Sequence, residues 1–98
     1  MKNKPVKLTS EEIKSEQLHP SWTIVQNKKL EKEYTFPDFK TALTFTIKVG
    51  ALAEELNHHP DIFLTWGKVK LTISTHSVGG LSNLDFALVK KIEATNCE

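Results

Sequence analysis

The chain has 98 residues, 39% hydrophobic and 26% charged, which suits one globular domain (1–98) and leaves little room for a second. Its formal net charge of +1, with Lys and Glu mixed as in Lys28–Glu33, provides no basic stripe and argues against direct nucleic-acid binding. Cys97 is the single cysteine, so no intrachain disulfide and no four-cysteine zinc ribbon can form; with no signal-peptide core and no apolar run near the roughly 20 residues of a membrane helix, a soluble cytoplasmic protein without membrane contact is expected.

Residues 1–7 are polar and are expected to be loose. Thr9-Ser10-Glu11-Glu12 fits a capping box and opens a short helix near 10–18, ended by His19-Pro20. His19 reads as a solvent-facing loop residue. Trp22–Val25 is aromatic and β-branched, hence a strand, and Asn27–Lys29 suits a turn. Leu30, Lys32, Tyr34 and Phe36 alternate with Glu31, Glu33 and Thr35, which predicts a second strand with one charged face.

Pro37-Asp38 opens the longest helix, 38–56. Phe39, Ala42, Leu43, Thr46, Val49, Gly50 and Ala53 form an apolar stripe expected to face the core, with Phe45, Ile47 and Leu52 partly off it. A helix apolar on two sides is expected to contribute to a subunit interface as well. Asp61–Trp66 and Lys68–Thr75 are two further strands turning at Gly67. Residues 78–81 form a loop, and Ser82–Asp85 reads as a second capping box before a final helix carrying Leu84, Leu88, Val89 and Ile92. The order αββαββα predicts an α+β domain: a four-stranded antiparallel sheet with helices packed on one face.

The chemistry-bearing residues gather in two places. His58-His59-Pro60 follows the long helix, and His76 follows the fourth strand. A hairpin turning at Gly67 brings its open ends together, and so brings these histidines to one end. Three functions are open on the residues alone. Zinc is disfavoured, because adjacent residues in extended chain point apart, and neither an HExxH motif nor a histidine pair at helical spacing is present. A structural role is available, since imidazole suits a helix C-terminus. Imidazoles titrating near neutrality could instead serve as general acid and base.

Glu54, three residues, His58-His59-Pro60, five residues, Trp66, nine residues, His76, eight residues and Asp85 together resemble the signature of the pterin-4a-carbinolamine dehydratases, also called dimerisation cofactors of hepatocyte nuclear factor 1. Trp22, Tyr34-Thr35-Phe36, the helix with Phe39, Ala42, Phe45 and Val49, and Gly79–Ser82 extend the similarity over about residues 8–95. The resemblance implies dehydration of 4a-hydroxytetrahydrobiopterin to quinonoid dihydrobiopterin, within tetrahydrobiopterin recycling and without a cofactor or metal. It implies His58 and His76 as the acid–base pair, with His59 orienting the ring. Asn57, Ser74, Thr75 and Ser77 would hold the pterin edge. Glu54 would orient His58, Pro60 and the aromatic Trp66 would support the site, and Asp85 would shape the loop after His76. It further implies a homodimer or homotetramer through helix 38–56 and a sheet edge. The alternatives are a dimerisation module for a transcription factor, or action on a different pterin.

Overall fold

The computed structural model describes residues 5–95. Helix α1 spans Ser10–Ser15, strands β1 and β2 span Thr23–Val25 and Lys29–Thr35, and α2 spans Phe39–Leu56. Strands β3 (Asp61–Thr65) and β4 (Lys68–Ile73), a single 3-10 turn (His76–Val78) and α3 (Asn83–Thr95) complete the described residues. All strand pairs are antiparallel, in the order β1-β2-β4-β3. No helix of the described residues is long and apolar enough to cross a membrane.

Alternation sets the inner face. Leu30 pairs with Ile73, Tyr34 with Val69, Ile62 with Leu71 and Leu64 with Val69, so apolar side chains from three strands meet on one side. Leu30, Val69, Leu71 and Ile73 have no exposed surface, and Leu88, Val89 and Ile92 of α3 and Val49 of α2 close over them. A fully buried aliphatic side chain of this kind stabilises by about 1.5–3 kcal/mol. The opposite face carries charges, with Lys68 on Glu33 at 2.8 Å and Lys70 on Glu31 at 3.9 Å.

The helix ends follow their local chemistry. Thr9 and Glu12 form the full reciprocal box, with Glu12 N–H on Thr9 Oγ1 at 3.1 Å and Thr9 N–H on Glu12 Oε1 at 2.8 Å. Helix α1 nonetheless stops at Ser15 rather than at 18, because Glu16 is already extended; Leu18 reaches the core from non-helical chain. Asp38 caps α2 by accepting from Thr41 N–H at 2.7 Å, and Asn57 ends it in the left-handed region, at φ 53°. The first hairpin turns on Gln26 and Asn27, both at positive φ, one residue earlier than expected.

Two expectations are corrected here. Residues 5–7 are not loose: Val6 N–H donates to Asn83 Oδ1 at 2.7 Å, and Lys7 bridges Ser82; residues 1–4 lie outside the described residues. The buried face of α2 is Ala42, Phe45, Val49 and Ala53, whereas Phe39 and Leu43 join Ile47 in solvent. Phe45 fixes this phase, because its ring packs 4.5 Å from Tyr34 and 5.3 Å from Phe36.

Glu93 of α3 ties the sheet to the helix layer. Its Oε2 accepts from Tyr34 OH at 2.7 Å, Trp22 Nε1 at 2.8 Å and Lys32 Nζ at 2.9 Å. Burial pushes this carboxyl up, but the three donors outweigh burial and hold it below its ordinary value. Tyr34 is pushed the other way, by burial and by the carboxylate it faces. Glu93→Ala strands donors on two buried aromatic residues and is expected to cost about 2–3 kcal/mol in urea unfolding. Because the folded value is depressed, Glu93 contributes stability that is complete above its ordinary value of 4.5 and is lost as pH falls through the folded value. Unfolding midpoints measured across acid pH should therefore fall less steeply in Glu93→Gln than in the parent; identical slopes would refute this role.

Candidate active site

The site grows out of the end of α2. Asn57 reverses the chain in the left-handed region, and His58 N–H still bonds to Ala53 O at 3.0 Å. His58, His59 and Pro60 then lead into β3, which pairs with β4 so that Asp61 faces Thr72. The open end of this hairpin therefore sets His58-His59 beside Ser74, Thr75 and His76. Thr75 is held there by its own N–H on Gly80 O at 2.9 Å.

A buried hydrogen-bond chain lies at this end. His58 Nε2 is 2.6 Å from Asp85 Oδ1, with the Asp85 side chain fully buried and that of His58 11% exposed. Asp85 Oδ2 accepts from Ser82 N–H at 2.7 Å and from Thr75 Oγ1 at 2.8 Å. Thr75 Oγ1 lies 2.7 Å from Ser82 Oγ and 3.4 Å from His58 Nε2. Ser82 Oγ accepts from Leu84 N–H at 3.2 Å.

The partners fix the direction of every proton. A carboxylate only accepts, so Thr75 gives its hydroxyl proton to Asp85 and must accept the proton of Ser82. The oxygen facing His58 Nε2 likewise selects the Nε2–H tautomer. That leaves Nδ1, which makes no hydrogen bond among the described residues, as the nitrogen available for chemistry. Asp85 thus orients an imidazole and is placed to stabilise positive charge on it.

The second histidine has a separate partner. His59 Nε2 is 2.6 Å from Glu54 Oε2, with both side chains more than half exposed. Glu54 was expected on His58, one helical turn later. The left-handed Asn57 breaks the helical spacing and turns His58 inward to Asp85, so the carboxylate meets His59 instead. His58 and His59 therefore point to different carboxylates. Among the described residues, no group of three or more His, Cys, Asp or Glu side chains is arranged to hold a metal ion.

His76 opens the 3-10 turn, is exposed, and makes no side-chain hydrogen bond among the described residues. It lines a cleft of about 160 Å³ with Ser74, Thr75, Gly79, Gly80, Lys28 and Lys29. Ser77 is exposed on the same turn, and Pro60 is half-buried at the entry to β3. Asn57 is exposed and serves as the α2 cap. Trp66 does not join these residues. It is 66% exposed in the β3–β4 turn, the closed end of the hairpin, seven residues beyond His59 and so about 20 Å from it at roughly 3.3 Å per strand residue. The five-residue spacing that follows Pro60 is the length of β3 itself, so it carries the ring away.

Ser82 was missed as a site residue. The signal was the Ser82-x-x-Asp85 pattern, read as a capping box. Only half of that box forms: Ser82 N–H bonds to Asp85, but the Ser82 hydroxyl is turned to Thr75 and Leu84, and Asp85 N–H bonds to Ser82 O at 3.1 Å.

Comparisons with known proteins agree with this architecture. The family described as Pterin 4 alpha carbinolamine dehydratase matches residues 6–95. A provisionally named pterin-4-alpha-carbinolamine dehydratase of Alkaliphilus metalliredigens is 45% identical over 93 residues, covering 93% of this chain and 84% of that protein. The pterin-4-alpha-carbinolamine dehydratase of Drosophila melanogaster is 38% identical over 99 residues, covering 96% of this chain and 52% of that protein. A solved structure described as a transcriptional coactivator/pterin dehydratase from Brucella melitensis superposes with a TM-score of 0.81 at 32% identity, covering 91% of this chain and 97% of that one.

Proposed function

The chain belongs to the pterin-4a-carbinolamine dehydratase family, and from that premise we propose that it removes water from 4a-hydroxytetrahydrobiopterin by histidine acid–base catalysis, in the recycling of tetrahydrobiopterin. The observation that carries this reading is the His58–Asp85 pair at 2.6 Å beside the His76 cleft. Hydroxide is a poor leaving group, so the 4a-oxygen needs a proton as the C–O bond breaks. Nitrogen 5 loses its proton as the C=N bond forms. One proton is given and one is taken, water leaves, and no electron is transferred, so no redox cofactor is required.

His58 suits the base, since Asp85 stabilises the charge that forms on the ring. His76, which faces the cleft without a carboxylate behind it, suits the acid. His59, held by Glu54, orients the pterin ring. Ser74 and Ser77 offer peptide groups beyond the last ladder pair of β4 to the donors and acceptors of the pterin edge, with Asn57 closing the other side; Thr75, whose own peptide is bonded to Gly80 and the turn, holds that segment in place.

The test is stopped-flow absorbance of freshly generated 4a-hydroxytetrahydropterin. Decay should accelerate in proportion to protein concentration. A folded protein that binds a pterin without accelerating its decay would leave the binding-module reading in its place.

That second reading has its own observation. Phe39, Leu43 and Ile47 form an apolar row on the solvent face of α2, at 43%, 38% and 65% exposure. Phe63 is exposed on β3, an edge strand with unpaired backbone groups. We assign both surfaces to self-association into a dimer or tetramer; a transcription-factor helix would compete for the α2 row. Ile47→Lys with Phe63→Lys is expected to lower the mass in sedimentation to that of the monomer at micromolar concentration. An unchanged mass would place the interface elsewhere.

A further inference from the structure

The cleft beside His76 does not end at Gly79 and Gly80. It shares Lys28, Gly79 and Gly80 with a second cleft of about 310 Å³, which runs past Lys7 and Gln26 to Ser10. The two form one groove leading away from His76. Its floor is open at the glycines: a Cβ on Gly79 would meet nothing within 4 Å, and one on Gly80 would meet only Lys7 Cε, at 3.7 Å. Lys7 Cε therefore lies beside Gly80 in the groove lining.

The charge along this groove has one sign. Lys7, Lys28 and Lys29 line it, and no Asp or Glu does. None of the three ammonium groups has an ion pair or side-chain hydrogen bond among the described residues. Elsewhere the exposed lysines of the sheet, Lys68 and Lys70, both face a glutamate. Three unneutralised cations along a groove that starts at the active site attract an anion that enters with the substrate.

We propose that this groove selects pterins whose carbon-6 substituent ends in an anion, a phosphate or a carboxylate, with Lys7, Lys28 and Lys29 as the residues that read it. The inference rests on the dehydratase reading for the seat of the ring and adds the class of substrate. Lysine binds either anion as a point charge, so the shared chemistry is a negatively charged tail. Exposed cations are screened, so the preference must weaken with salt.

Three unreactive probes separate the possibilities in a fluorescence titration: 7,8-dihydroneopterin, its 3′-phosphate and 7,8-dihydrofolate. At low ionic strength at least one charged probe is expected to bind about tenfold tighter than the neutral one. Whichever it is identifies phosphate or carboxylate as the tail. The advantage should shrink to about twofold at roughly 0.3 M salt. It should vanish in Lys7→Glu with Lys28→Glu, while the neutral probe keeps its affinity. Equal affinities for all three probes in a protein that still accelerates dehydration would overturn this inference and spare the dehydratase. Equal weakening of neutral and charged probes in the double variant would also overturn it. No binding of any probe, with no acceleration, would remove both.

Discussion

His76→Ala is expected to slow catalysed dehydration by about 10²- to 10⁴-fold, the usual contribution of a positioned acid or base, and to leave the unfolding midpoint where it was. The structure explains why the two effects separate. The His76 side chain is exposed and makes no hydrogen bond among the described residues, so its removal strands no partner and opens no core cavity. The turn is held by backbone bonds that alanine keeps, from Gly79 N–H to Thr75 O and to His76 O, both at 3.1 Å. The variant can be checked by stopped-flow kinetics beside a urea curve on the same preparation. Wild-type turnover in a folded variant would remove His76 from the acid–base pair. Loss of both activity and cooperative unfolding would mean that the turn, rather than the imidazole, had been measured.

Local patterns carried most of the fold. The alternation of Val69, Leu71 and Ile73 and the Thr9–Glu12 box each depend on residues a few positions apart, and each forms as expected. The errors fall where a distant contact outweighs a local one. The expected α2 stripe includes Phe39 and Leu43 and leaves Phe45 partly off it, but the Phe45 ring finds Tyr34 and Phe36 on the sheet, and that contact rotates the helix's buried face. Helix periodicity placed Glu54 under His58. The left-handed Asn57 and a carboxylate 27 residues away decide otherwise. Trp66 belonged to the same string of spaced residues as the histidines, yet strand length carries it to the other end of the hairpin. Ser82 was hidden because a capping pattern and a buried relay use the same two residue types at the same spacing.

Asp85→Asn tests whether Asp85 acts through the tautomer of His58. The amide must keep its oxygen toward Ser82 N–H and Thr75 Oγ1, because a backbone N–H cannot turn its donor around. Its NH₂ then faces His58 Nε2, where Asp85 Oδ1 now accepts at 2.6 Å. Two donors cannot face each other, so His58 moves its proton to Nδ1 and presents an N–H where the parent presents a lone pair. The base is lost without moving a heavy atom. Catalysed dehydration is expected to fall by about 10²- to 10⁴-fold, while stability falls by about 1–3 kcal/mol for the weakened buried network. Nitrogen chemical shifts of the imidazole give the readout that a merely structural role would not move: the hydrogen should shift from Nε2 to Nδ1. Asp85→Glu keeps two acceptor oxygens but adds a methylene to a fully buried position, so it should retain the parent tautomer at a greater cost in stability. If Asp85→Asn lost stability but kept both the Nε2–H tautomer and the parent rate, Asp85 would be a cap for α3 and nothing more.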